Sequence, residues 1–100
     1  MSNEHVMECV VYQIHDEWRA DFIVARKQVL AEMQALPGFV AYDTFQNTED
    51  GTQMIDMVWW RDAATAEAAF QAWKQWPSAK QLMQTVESVT YSAHFKKLDG

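Results

Sequence analysis

Cysteine is almost absent from this chain. Cys9 stands alone, so no disulfide within the chain can staple the fold. Three glycines and two prolines in 100 residues exclude a low-complexity or linker-like composition. Basic residues are also scarce, eight Lys plus Arg against fourteen acids, for a net charge of −6. No basic run or face is present, which argues against binding the phosphate backbone of DNA or RNA and disfavours an anionic membrane surface. No apolar run approaches the length of a bilayer crossing. The opening MSNEHV lacks a basic region followed by an apolar stretch, so it does not read as a secretory signal. A cytoplasmic protein is expected, with neither nucleic acid nor membrane among its partners. Three isolated histidines form no metal-ligand spacing, and glycine-rich phosphate loops and nucleophile elbows are missing.

Large apolar groups, in contrast, are plentiful. Half the chain (49%) is hydrophobic, with five Trp, five Phe, three Tyr and six Met. That is an ordinary folding composition for one domain over residues 1–100. Five tryptophans exceed what one small core easily absorbs, so some belong in a ligand pocket or a subunit interface. Cys9, inside a strand-like run, reads as a small buried hydrophobe.

The most informative stretch is Gln53 to Arg61. It sets Met54, Asp56, Val58 and Trp60 on one side of a strand and Ile55, Met57 and Trp59 on the other. A half-buried strand carries one apolar row; this one carries two, interrupted by a single acid. Val6 to Ile14 reads as another strand covered on both sides, with Val6, Val10, Tyr12 and Ile14 against Met7, Cys9 and Val11. From about Glu17 to Leu36 the period becomes helical, with a stripe of Trp18, Phe22, Ala25, Val29, Met33 and Leu36 and with Asp16 as a candidate cap. Pro37-Gly38 stops that helix.

Phe39 to Gln46 and Gln53 to Arg61 form a predicted hairpin across the polar turn Asn47 to Thr52. Asp62 is the expected N-cap of a second helix, Ala63 to Gln75, which buries Ala66, Ala69, Phe70, Trp73 and Trp76. Pro77 breaks it or resets its axis, and Ala79 to Val86 is a further helical piece carrying Leu82 and Met83. The last strand spans Ser88 to Leu98, with Val89, Tyr91, Ala93 and Phe95 on one side and Ser88, Thr90, Ser92 and His94 on the other.

The order β-α-β-β-α-β implies an α+β, ferredoxin-like fold: an antiparallel four-stranded sheet with its helices on one face. The other face would then expose one of the two apolar rows. Pairing two copies sheet to sheet covers it, giving a homodimer. Even ~600 Å² of apolar area buried in this way is a gross gain of about 15 kcal/mol before the costs of association.

Three runs carry a resemblance to a known family: Leu36-Pro37-Gly38-Phe39, Val58-Trp59-Trp60-Arg61-Asp62 and Phe70-Gln71-Ala72-Trp73. In their spacing and in the order of elements the chain resembles the antibiotic biosynthesis monooxygenases, the dimeric α+β barrels. That resemblance implies a dimer whose two sheets face each other, and a cavity between sheet and helices in each subunit. It implies a cofactor-independent oxygenation of a small planar phenolic or quinoid compound, and it implies that Trp60 lines the cavity. Family members that degrade haem carry a histidine in the second helical region. Met83 stands nearest to that position here, and no histidine lies between His15 and His94, so neither haem nor another cofactor is expected.

The candidate catalytic residues are Asp56, His94 and Trp60. Asp56 interrupts an apolar row; buried in a cavity, its raised pKa would suit it to remove a phenolic proton. The plainer reading is an acid held by a backbone or arginine partner. His94, on the polar row of the last strand, is a candidate base or donor to a bound oxygen atom, or else a surface histidine. Trp60, Val58, Tyr12, Phe70, Trp73 and Met83 form the candidate substrate-binding set, with the indole of Trp60 as a stacking wall. Two readings stay open: an oxygenase, or a non-enzymatic small-molecule-binding or stress-related dimeric module.

Overall fold

The computed structural model describes residues 5–98; the start of MSNEHV and the last two residues of the polar tail lie outside them. Strand β1 (Val6–Ile14) leads through a 3₁₀ turn (Asp16–Trp18) into helix α1 (Arg19–Met33). The hairpin β2 (Phe39–Gln46) and β3 (Gln53–Trp60) follows, then α2 (Ala63–Trp73), α3 (Pro77–Gln84) and β4 (Val86–Lys96). The four strands form one sheet in the order β2-β3-β1-β4, every neighbouring pair antiparallel. This is the ferredoxin-like α+β arrangement expected from the order of elements.

The two apolar rows of the central strands have different fates. Met54, Asp56, Val58 and Trp60 are buried and, with Val6, Tyr12 and Ile14, meet the helices in one core with Phe22, Ala25, Val29, Met33, Ala66, Ala69 and Leu82. The opposite row, Ile55, Met57 and Trp59, is only half-buried, as are its neighbours Met7, Cys9 and Val11. Tyr91 and Phe95 pair with Val11 and Met7 and extend the same face, largely exposed. One side of the sheet is therefore a continuous apolar surface.

Several local expectations are corrected. The first helix is shorter than Glu17 to Leu36, because the chain enters through a tight 3₁₀ turn and leaves α1 at Met33. Asp16 does not cap it; its carboxylate pairs with Arg19 at 3.0 Å, and the N-cap position is Trp18, whose side chain is exposed. Pro77 starts α3 rather than merely breaking α2, since a helix's first turn has no use for the N–H that proline lacks. Helix α3 accordingly begins two residues before Ala79.

The last strand is the most instructive correction. It starts at Val86, and a bulge between Val11 and Tyr12 shifts its register on β1. Tyr91 faces Val11 on the open side, but Val89 faces Tyr12 on the helix side. The regular alternation that grouped Val89 with Tyr91 is broken there.

Two joints fix the helices on the sheet. Asp62 caps α2 as expected, its side chain accepting from the Thr65 backbone N–H at 2.8 Å while Thr65 accepts in return from the Asp62 N–H. Gly38 takes φ +81°, and a Cβ there would sit 2.4 Å from Thr65 Oγ1. Glycine is thus required twice over, by backbone conformation and by close approach to the cap.

Candidate functional site

A cavity of about 180 Å³ lies between the buried face of the sheet and the helices. Its walls come from β1 (Glu8, Val10, Tyr12), β2 (Tyr42), β3 (Asp56, Val58, Trp60) and β4 (Val86, Val89, Ser92). The helices supply Met33, Ala69, Phe70, Trp73, Leu82 and Met83. Ligand cavities commonly measure about 300–1,000 Å³, whereas one of about 150 Å³ already holds benzene, so this space suits a ligand of one or two rings.

Asp56 is the chemical centre of the cavity. It is 8% exposed and sits in mid-strand among apolar neighbours. Its Oδ1 accepts hydrogen bonds from Tyr12 Oη and Thr44 Oγ1, each at 2.7 Å, and its Oδ2 accepts one from Tyr42 Oη at 3.2 Å. Register explains the convergence: Thr44 is the direct partner of Asp56 on β2, and Val10 is its partner on β1, next but one to Tyr12. Behind this cluster, Arg26 donates from Nε to Thr44 Oγ1 at 2.5 Å, and its guanidinium lies 4.5 Å from the centre of the Tyr42 ring.

Burial pushes the Asp56 pKa up, and the hydrogen bonds from Thr44, Tyr12 and Tyr42, with the Arg26 charge, pull against that rise. Burial also pushes the Tyr12 and Tyr42 phenols up, and the neighbouring Asp56 charge adds to both. The tyrosines therefore keep their protons and act as donors. The carboxyl is the group in this cluster that can exchange one.

Trp60 is 1% exposed and forms part of the wall, its ring edge-on to Phe39 at 5.7 Å. Its indole Nε1 is buried, and among the described residues it has no hydrogen-bond partner. An unpaired buried donor is costly and uncommon in folded proteins. Phe70 and Trp73 stack at 6.3 Å on the cavity side of α2, one helical turn apart.

Of the residues singled out from sequence, Asp56, Trp60, Val58, Tyr12, Phe70, Trp73 and Met83 converge on this one space. His94 does not join them in the lining. It is exposed on β4, opposite Glu8 in the register. Glu8 and Tyr42 also line the cavity, though neither belongs to the set expected from the sequence. Glu8 had a signal of its own, an acid in the otherwise apolar row of Val6, Val10 and Tyr12. Burial pushes its pKa up, the nearby His94 pulls it down, and Asp56 pushes it up.

Among the described residues, no group of three or more His, Cys, Asp or Glu side chains is placed to hold a metal. Among the described residues, no helix is long and apolar enough to cross a membrane.

A family model described as antibiotic biosynthesis monooxygenase matches residues 6–85. No curated protein matches the chain. Among solved structures, SnoaB of Streptomyces nogalater, described as a cofactor-independent oxygenase, superposes with a TM-score of 0.84 at 16% identity, covering 97% of this chain and 96% of SnoaB. A conserved protein of Methanosarcina mazei Go1 gives 0.80 at 15% identity, over 95% of this chain and 94% of its own. Rv0793 of Mycobacterium tuberculosis gives 0.75 at 13% identity, over 97% and 98%. At these identities the structural likeness speaks for the fold.

Proposed function

The chain belongs to the antibiotic biosynthesis monooxygenase family, and from that premise we propose that it is a dimeric, cofactor-independent monooxygenase acting on a small planar phenolic compound. The observation that carries this reading is a buried carboxylate, Asp56, ringed by three hydroxyl donors inside a small cavity walled by aromatic groups.

The substrate ring stacks against Trp60, with its hydroxyl turned to the Tyr12–Asp56–Tyr42 cluster. Oδ2 of Asp56, held only by the longer Tyr42 bond, accepts the phenolic proton. The phenolate is electron-rich enough to pass one electron to dioxygen. Recombination of the resulting pair forms a carbon–oxygen bond, and loss of water leaves a quinone carbonyl. One oxygen atom stays on the ring. The other leaves as water, with the proton held by Asp56 and the hydrogen lost from the oxygenated carbon. The unpartnered Nε1 of Trp60 donates to oxygen as negative charge develops there. His94, outside the lining, has no direct part in this scheme.

The homodimer belongs to the same proposal. Its support is the open apolar face of Met7, Val11, Ile55, Met57, Trp59, Tyr91 and Phe95, which a second copy would cover. A reducing, cytoplasmic setting suits the free Cys9.

A second reading, a binding module without turnover, rests on a specific feature: Asp56 has three hydrogen bonds without any substrate, as a structural buried acid would. Oxygen uptake separates the two. Purified protein incubated in air with 1-naphthol should consume oxygen and yield the quinone. Asp56→Asn should abolish this, and Trp60→Phe, which keeps the wall and removes the donor, should slow it about 10-fold. Binding without uptake would favour the module. Uptake that survives both substitutions would remove the assigned site.

A further inference from the structure

The cavity holds a second acid that the scheme above leaves unused. Glu8 lies on the same side of β1 as Tyr12, and its half-buried side chain contributes to the wall. Its direct partners are Val58 on β3 and His94 on β4, whereas Asp56 pairs with Val10. Glu8 and Asp56 are thus diagonal neighbours across β1 and β3, a placement that typically sets Cβ atoms somewhat under about 7–8 Å apart. Both acids line the same cavity, so a ring held there can present polar groups to each.

The electrostatics of the two ends differ. Asp56 is met by three hydroxyls, with Arg26 behind them. Among the described residues no hydrogen bond to Glu8 offsets the cost of burial, while the charges of His94 and Asp56 act on it in opposite directions. The lining contains two acids and no Lys or Arg. Such a space attracts hydrogen-bond donors and repels anions. Trp60, whose buried Nε1 has no hydrogen-bond partner among the described residues, belongs to the same wall.

We propose that Glu8 is a specificity-determining residue of this cavity: it receives a second donor, hydroxyl or amino, on the ring whose first hydroxyl lies at Asp56, and it rejects rings that carry a carboxylate. This rests on the phenol-binding reading above. It extends that reading by requiring a ring with donors at opposite ends.

The test is anaerobic binding followed by tryptophan fluorescence, since Trp60 and Trp73 line the cavity and no turnover is needed. Three probes share one phenol ring: 1,4-dihydroxybenzene, 4-methoxyphenol and 4-hydroxybenzoate. The intact protein should bind the dihydroxy ring about 10-fold more tightly than the methoxy ring, and the carboxylate most weakly. Glu8→Leu should erase the preference for the second hydroxyl. Glu8→Gln, which keeps size and an acceptor oxygen, should keep that preference and improve 4-hydroxybenzoate binding about 10-fold. Unchanged rankings in both variants, with 4-methoxyphenol binding still dependent on Asp56, would overturn the role of Glu8 alone. Failure of all three rings to bind the intact protein would overturn the phenol-binding reading as well.

Discussion

Tyr12 Oη stands 2.7 Å from Oδ1 of Asp56, joining the two central strands of the sheet under the helices. The two residues are 44 positions apart in the chain, and only the pairing of β1 with β3 brings them together. A phenol donating to a buried carboxylate both holds that carboxylate in place and lowers the cost of its charge. Whether Asp56 works as a base depends on this balance.

Replacing Tyr12 with Phe removes that donor and little else. Asp56 keeps Thr44 and Tyr42, so the fold should survive with a loss of about 1–2 kcal/mol, the range for a hydrogen bond to a charged group with part of its network intact. Oxygen uptake, if present, should shift to higher pH, because the carboxyl loses a bond that favours its ionised form. Urea unfolding and a pH–rate profile read the two effects separately.

The carboxylates act on stability with opposite signs. For Asp56 the folded pKa is raised by burial, so its contribution is fully present below the ordinary value of 3.8 and is lost as pH rises through the raised value. Wild type should therefore lose stability relative to Asp56→Asn as pH climbs from below 3.8 toward neutrality. Asp62 is the reverse case. Hydrogen bonds from the Thr65 backbone N–H and side chain lower its pKa, so its contribution is present above 3.8 and is lost as pH falls through the folded value. Wild type should lose its advantage over Asp62→Asn on acidification. Denaturant titrations across pH, taken as differences between each pair, check both slopes.

Gly38→Ala should destabilise the protein by more than about 2 kcal/mol, since a left-handed residue other than glycine costs roughly 1–2 kcal/mol before any clash. The added methyl also meets the Thr65 side chain, which is tied to the α2 cap. Equilibrium unfolding measures this directly. A change below 1 kcal/mol would mean that the joint between α1 and α2 yields easily.

Trp59 points away from the cavity, half-buried on the open sheet face. In the proposed dimer it lies in the interface, where a tryptophan is often a dominant contact. Trp59→Glu should raise the dimer dissociation constant at least about 100-fold, roughly 3 kcal/mol. Light scattering should then fall from twice 11.6 kDa toward a single chain. A wild-type mass of one chain at micromolar concentration would remove the dimer outright.

Much of the architecture was legible without coordinates. The doubled rows of β1 and β3, the stripe from Phe22 to Met33 and the Asp62 cap each follow from local spacing. These set the order of elements and the rows of side chains that share a face in β1, β3 and α1. Asp56 was legible as a candidate for the same reason: a lone acid in an apolar row invites explanation. Glu8 gave the same signal in β1 and was overlooked beside its more numerous apolar neighbours. The placement of Val89 was not legible, because the bulge between Val11 and Tyr12 belongs to the pairing of two strands rather than to either one.

The chain alone determined which side chains share a face of each regular strand and helix, since that depends on periods of two and 3.6 residues set by backbone geometry. Tertiary structure decided which inward groups meet. The register of β2, β3 and β1 collects Tyr12, Tyr42 and Thr44 around Asp56, and the register of β4 brings Val89 and Ser92 to the cavity. Register is a relation between distant segments, fixed by how whole rows pack against one another, and no local spacing encodes it.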